Sequence, residues 1–129
     1  MGYYSSLSGN VRMTPDAYAK FITQKLNNGF YEDYPVTEYL DVLDYNPDIQ
    51  VLYLEGAGKM YADEALMDLL ARYKDLPWVD TVYYTGEEPG DVGVYYIDIG
   101  RWCYITAEIP PAPPVDSDSW QSVDKQEGC

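Results

Sequence analysis

Histidine is absent from the 129 residues, and only 8 lysines and arginines stand against 22 aspartates and glutamates. Without imidazole there is no Ser-His-Asp or Cys-His relay and no H-E-x-x-H zinc site. The formal net charge of -14 opposes binding to DNA, RNA or anionic membranes, because like charges repel within a Debye length. Cysteine occurs only at 103 and 129, which is not the framework of a disulfide-stapled secreted domain and fits free thiols in a reducing compartment. No apolar run approaches the ~18 residues of a membrane span. The first residues lack the basic and apolar regions of a secretory signal. Met1-Gly2 followed by Ser6 matches the loose myristoylation pattern, but Tyr3 and Tyr4 open a predicted strand. P-loop, dinucleotide-binding and nucleophile-elbow motifs are all missing.

What is present is a core-forming composition rich in one ring. Hydrophobic residues make up 47% of the chain, and tyrosine occurs 15 times against 2 phenylalanines and 3 tryptophans. That is enough to bury a core in one domain. Leu7, Val11 and Met13 among polar neighbours predict a first strand, bulged at Gly9. Thr14-Pro15-Asp16 starts a helix whose apolar face is Tyr18, Phe21, Ile22 and Leu26, with Gly29 as its stop. Val36, Tyr39, Leu40 and Leu43 recur at i, i+3, i+4, i+7, which predicts a second short helix capped by Thr37. Asn46-Pro47-Asp48 forces a turn. Residues 49–55 then read as a strand facing inward through Ile49, Val51 and Tyr53, ended by Gly56-Ala57-Gly58. Leu66, Leu69, Leu70 and Tyr73 form a helical stripe, with Asp63 and Glu64 in its first turn, Lys74 in its last and Pro77 as its stop. Three strands follow at 81–85, 92–99 and 102–108, joined by the hairpin loop 86–91 and a tight Gly100-Arg101 turn.

The predicted order is β-α-(α)-β-α-β-β-β. It points to an α+β two-layer sandwich, a ferredoxin-like variant with a mostly antiparallel sheet and helices on one face. The expected domain is 1–109. The stretch 110–129, with Pro110, Pro111, Pro113 and Pro114 before Ser, Asp and Gln, reads as a disordered tail.

Two stretches carry a resemblance. The chain opens Met1-Gly2-Tyr3-Tyr4. Further on it has Leu70-Ala71-Arg72-Tyr73-Lys74-Asp75, then Thr85-Gly86-Glu87-Glu88-Pro89-Gly90-Asp91-Val92, then a strand closing at Gly100-Arg101. This resembles a family of small proteins of bacteriophages, especially those of actinobacteria, and their hosts. Those proteins open Met-Gly-Tyr and carry a Gly-Glu-Glu-x-Gly-Asp turn. The likeness spans about a third of the chain, and residues 30–48 and the tail depart from it. It implies a phage or prophage origin, the bacterial cytoplasm and an α+β fold, with no activity to carry over.

The candidate chemistry is acidic. Glu87, Glu88 and Asp91 crowd one loop, as a cation site, an acid/base pair or simply a solvated turn. Asp116, Asp118 and Glu127 echo a calcium loop but fail it, with Gln121 where the loop needs glycine. Cys103 and Cys129 have no activating base. Charge placement is the strongest signal. Between Lys25 and Lys59 lie seven acids and no base: Glu32, Asp33, Glu38, Asp41, Asp44, Asp48 and Glu55. Asp75, Asp80, Glu87, Glu88, Asp91 and Asp98 follow between Lys74 and Arg101. On a helix over 37–45, Glu38, Asp41 and Asp44 share an outer face. Tyr31, Tyr34, Tyr39 and Tyr45 interleave with these acids, and tyrosine is enriched at interfaces.

These features point to a non-enzymatic protein without cofactor or metal, which binds a basic host protein rather than nucleic acid or membrane. A duplex carries one negative charge per roughly 1.7 Å, and 22 carboxylates on one small domain approach that density. The expected role is an anti-defence inhibitor that mimics DNA. The expected contact residues are Glu32, Asp33, Glu38, Tyr39, Asp41, Asp44, Tyr45, Asp48, Glu87, Glu88 and Asp91. A virion assembly protein that oligomerises through a tyrosine-rich sheet, and a binder of a signal nucleotide through Arg12, Arg72 and Arg101, are the alternatives. Ordinary solvated acids and half-buried rings remain the simplest reading of the same residues.

Overall fold

One face of each strand supplies the core. The computed structural model describes residues 3–27, 33–58, 62–108 and 110–123. In chain order the elements are β1 (Ser5–Arg12), α1 (Pro15–Phe21), β2 (Lys25–Leu26), β3 (Tyr34–Pro35), α2 (Val36–Tyr39), β4 (Val42–Asn46), β5 (Val51–Gly58), α3 (Asp63–Tyr73), β6 (Asp80–Gly86), β7 (Val92–Asp98) and β8 (Arg101–Thr106). Six strands form a sheet in the order β4-β5-β1-β6-β7-β8, with every pairing antiparallel, and β2-β3 form a separate ribbon. The fold is α+β, as expected. A β-α-β-β-α-β unit has four strands; this sheet has six.

Leu7 and Val11 of β1, Leu52 and Leu54 of β5, Val82 of β6 and Tyr95 and Ile97 of β7 all turn to one side. There they meet Phe21 of α1 and Leu66, Met67, Leu69 and Leu70 of α3. Helix α1 begins as its sequence demands: Pro15 fills the first turn and the Thr14 hydroxyl accepts the Ala17 N–H at 3.3 Å. Helix α3 has Asp63 and Glu64 at its positive end, and the Lys74 N–H closes it on the Leu70 carbonyl. The Lys74 side chain, 1% exposed, meets Asp80 at 2.5 Å.

Four local expectations are corrected. Helix α1 stops at Ile22, because the Thr23 hydroxyl and Gln24 side chain both take the Lys20 carbonyl. Leu26 is buried from β2 instead, and Gly29 lies outside the described residues. The second helix is four residues long, with Pro35 at its N-cap and an extended Leu40 at its end. Residues 42–46 are strand, so Leu43 and Tyr45 face the core while Val42, Asp44 and Asn46 face away. A run as short as 36–46 fits both periods, and pairing with β5 decides it. In β5 the inward residues are Leu52 and Leu54, not Val51 and Tyr53, and Ile49 is exposed. Both phases are apolar there, and the register Val11↔Leu52, Gly9↔Leu54 fixes the choice. The strand also runs on through Gly56 to Gly58. Gly9 holds no bulge, since its pairing is unbroken on both sides. A β-carbon there would stand 2.4 Å from the Thr81 carbonyl oxygen.

The last three strands match expectation within two residues. Described residues 110–123 form turns but no helix or strand.

Candidate binding surface

The helices cover one face of the sheet and leave the other open. Antiparallel registers set the open face into rows. One row runs Val42, Glu55, Ser8, Tyr83, Val94, Ile105; the next runs Asp44, Tyr53, Asn10, Thr81, Tyr96, Cys103. Two halves result. On β4 and β5 the face is acidic, through exposed Asp44 and Glu55. On β6, β7 and β8 it is aromatic and aliphatic: Tyr83, Tyr96 and Ile105 are exposed, as are Trp78 and Val79 just before β6.

Each expected contact residue can now be placed. Asp33, Glu38, Asp41, Asp44 and Asp48 are exposed and follow one another along β3, α2 and β4 into the β4–β5 turn. The expected shared helical face does not exist, because only Glu38 lies on α2. Strand β4 brings Asp41, Asp44 and Asp48 to one sheet edge instead. The Asp41 carboxylate accepts the Ala57 N–H at 2.9 Å, and the Asp48 N–H donates to the Asn46 side chain at 2.9 Å. Glu32 and Tyr31 lie outside the described residues.

Of the tyrosines among these acids, Tyr39 and Tyr45 turn inward and Tyr34 is exposed. Tyr45 stacks on Tyr18 with ring centroids 4.3 Å apart and donates to the Met13 carbonyl at 2.7 Å. The Tyr39 hydroxyl accepts the Ala62 N–H at 3.0 Å, and burial pushes its pKa up to about 12.

Glu87 and Glu88 are exposed at the tip of the β6–β7 hairpin. Asp91 is structural: it accepts Tyr3 at 2.6 Å and Tyr84 at 3.2 Å, while its backbone closes the loop on Gly86 and Glu88. Burial first, then the Asp91 charge, pushes Tyr84 up to about 12. Three strand spacings separate β4 from β6 in the sheet order, roughly 14 Å. That exceeds the Debye length of about 8 Å at physiological salt, so the two groups of acids act as separate fields.

Three of the bases are engaged elsewhere. Arg12 Nε lies 3.4 Å and Lys74 Nζ 2.5 Å from the Asp80 carboxylate, and Arg101 pairs with Asp98 at 3.0 Å. Two of the three arginines that might have gathered a phosphate are thus neutralised. Arg12 also lies 5.3 Å from the ring centre of Trp78, whose φ of 75° is left-handed. No three His, Cys, Asp or Glu residues among those described gather to hold a metal ion. No described helix is long and apolar enough to cross a membrane.

Sequence reasoning offered a tyrosine-rich sheet only as an alternative and named none of the residues of the aromatic half. Its signal was available: β6 and β7 are apolar at both phases, Val82 and Tyr84 against Tyr83, Tyr95 and Ile97 against Val94 and Tyr96. A strand buried on one face should alternate with polar residues. No family model, curated protein or solved structure matches the chain.

Proposed function

We propose that this protein acts by protein–protein binding, as a phage-type inhibitor whose acidic sheet edge occupies the basic nucleic-acid-binding surface of a host protein. One observation carries the reading. Among the described residues, the only ion pairs use Asp80 and Asp98, so Asp33, Glu38, Asp44, Asp48 and Glu55 meet no described cation. Neighbouring carboxylates with no described cation beside them repel each other and cost stability. They gain by meeting a cationic surface, where they steer encounter and fix register. The carboxylates bind; no bond is made or broken.

The test is capture from bacterial lysate at low salt, followed by elution with a salt gradient and with duplex DNA. The expected result is a nucleic-acid-binding protein released by both. A variant carrying Glu38→Lys, Asp44→Lys and Glu55→Lys should capture none of it. Equal capture by the variant contradicts the assignment of this edge.

A further inference from the structure

The other edge of the sheet has the opposite character. Strand β8, Arg101-Trp102-Cys103-Tyr104-Ile105-Thr106, pairs with β7 on one side only. The Ala107 N–H bonds the Val92 carbonyl. By the two-residue alternation of an antiparallel ladder, Ile105, Cys103 and Arg101 also bond inward to β7. Trp102, Tyr104 and Thr106 therefore turn their N–H and C=O groups outward, away from the sheet.

Natural sheets blunt such an edge with lysine, proline, a bulge or a cover. Among the described residues none of these protects β8. It contains no lysine and no proline, its register runs unbroken from Asp98↔Arg101 to Gly93↔Thr106, and Cys103, Ile105 and Thr106 are exposed. Edge strand β4 is the contrast: it bears Asp44 on its open face and follows directly on Asp41.

We infer that β8 is the seam of a two-fold dimer, in which it pairs antiparallel with β8 of a second copy. Three observations select a second copy as the occupant. The first is the backbone. A register centred on Tyr104 sets Tyr104 against Tyr104 of the second copy and Trp102 against Thr106 of the second copy. It satisfies every outward group, as a two-fold requires. The second is charge. A molecule of net charge -14 can approach its own copy only where its field is weakest. Strand β8 carries no acid, Asp98 beside it is neutralised by Arg101, Asp68 is bonded by the Trp102 indole at 2.6 Å, and the acid beyond its end, Glu108, lies two residues past Thr106. The third is continuity. The apolar rows Tyr83-Val94-Ile105 and Tyr96-Cys103 end at this edge. The pairing sets Cys103 beside Ile105 of the second copy and extends both rows across the seam.

The dimer does not rest on the acidic-edge reading, and its salt dependence has the opposite sign. Salt weakens binding of a basic partner but screens repulsion between two acidic copies. The test is sedimentation equilibrium of the full chain at low and at molar sodium chloride. The expected result is a monomer–dimer equilibrium that tightens with salt. Thr106→Pro removes one outward donor from each copy and should weaken association by roughly tenfold or more. Ile105→Asp places a charge at an exposed seam position and should also weaken it. In the dimer, amide exchange at Trp102 and Tyr104 should slow as concentration rises. A strict monomer at high salt overturns the inference. So does a dimer indifferent to both substitutions, or one whose Trp102 and Tyr104 amides exchange freely.

Discussion

Asp80 is the residue on which most of the buried charge depends. Its carboxylate meets the Lys74 ammonium, the Arg12 guanidinium and the Arg12 N–H, and Lys74 is fully enclosed. Removing one member of a buried pair strands the other charge. Asp80→Ala should destabilise the fold by about 3–5 kcal/mol, read as a lower urea midpoint. Lys74→Met combined with Asp80→Leu should recover most of that loss. The exposed Arg101–Asp98 pair predicts the opposite, and Arg101→Ala should leave the midpoint unchanged. Gly9 is the second residue of this kind. An added β-carbon would meet the Thr81 carbonyl oxygen at 2.4 Å and the Val82 α-carbon at 2.8 Å, both backbone. Gly9→Ala should therefore cost about 2–3 kcal/mol, the upper part of the overpacking range. The sequence shows this glycine but not its reason, because the close approach arises only when β1 and β6 pair.

At the scale of elements, tyrosine hydroxyls join what the hydrophobic core does not. Tyr3 ties the amino-terminal segment to the β6–β7 hairpin, and Tyr95 ties β7 to Asp63 at the start of α3, at 2.9 Å. Tyr95→Phe should cost about 1.5–3 kcal/mol, as expected for a bond to a charged group, measurable as a lower unfolding midpoint. These rings also set the alkaline limit. Burial raises Tyr39 and Tyr84 to about 12, and raises Tyr95 further with help from Asp63. A folded value above the unfolded one of about 10 stabilises fully below pH ~10. That contribution is lost as pH rises towards 12. On the acid side, burial tends to raise Asp75, but the Thr14 hydroxyl and N–H outweigh it and hold the group low. The Ile99 N–H and Arg101 lower Asp98. Their contributions are present above the ordinary carboxylate value of about 3.9 and are lost as pH falls through the folded values. With no histidine to titrate between these limits, denaturation midpoints should form a plateau from pH ~5 to ~9. A step inside that interval would contradict this account. The elements differ in how readable they were. Helix α3 and the last three strands follow their own periodicity and turn residues. Residues 36–46 satisfied both helical and strand spacing, and a partner strand distant in sequence made the choice.

At the scale of the whole molecule, charge and apolar surface are sorted to opposite edges of one open sheet face. Composition announced the acidity, and the base-free stretch from Lys25 to Lys59 located much of it. The geometry could not be read that way. Asp41 and Asp44 were placed on a helix that does not form, and Tyr39 and Tyr45 were assigned to a contact surface although they face the core side. Asp91 belonged to the expected contact set, yet it is bound by two tyrosines that come from β6 and from before β1. The aromatic half of the open face could not be placed from sequence, because the double-phase apolar pattern of β6 and β7 does not say which strands stand side by side.

Under the proposed function a cationic partner seats on the β4–β5 acids and not on the hairpin acids. The most direct measurement is amide chemical-shift mapping of the labelled protein titrated with an oligo-arginine peptide at low salt. Saturable shifts should gather on residues 38–48 and on Glu55, with Glu87 and Glu88 little moved and the response reduced at higher salt. Shifts concentrated at Glu87 and Glu88, or spread evenly over every exposed carboxylate, would contradict it.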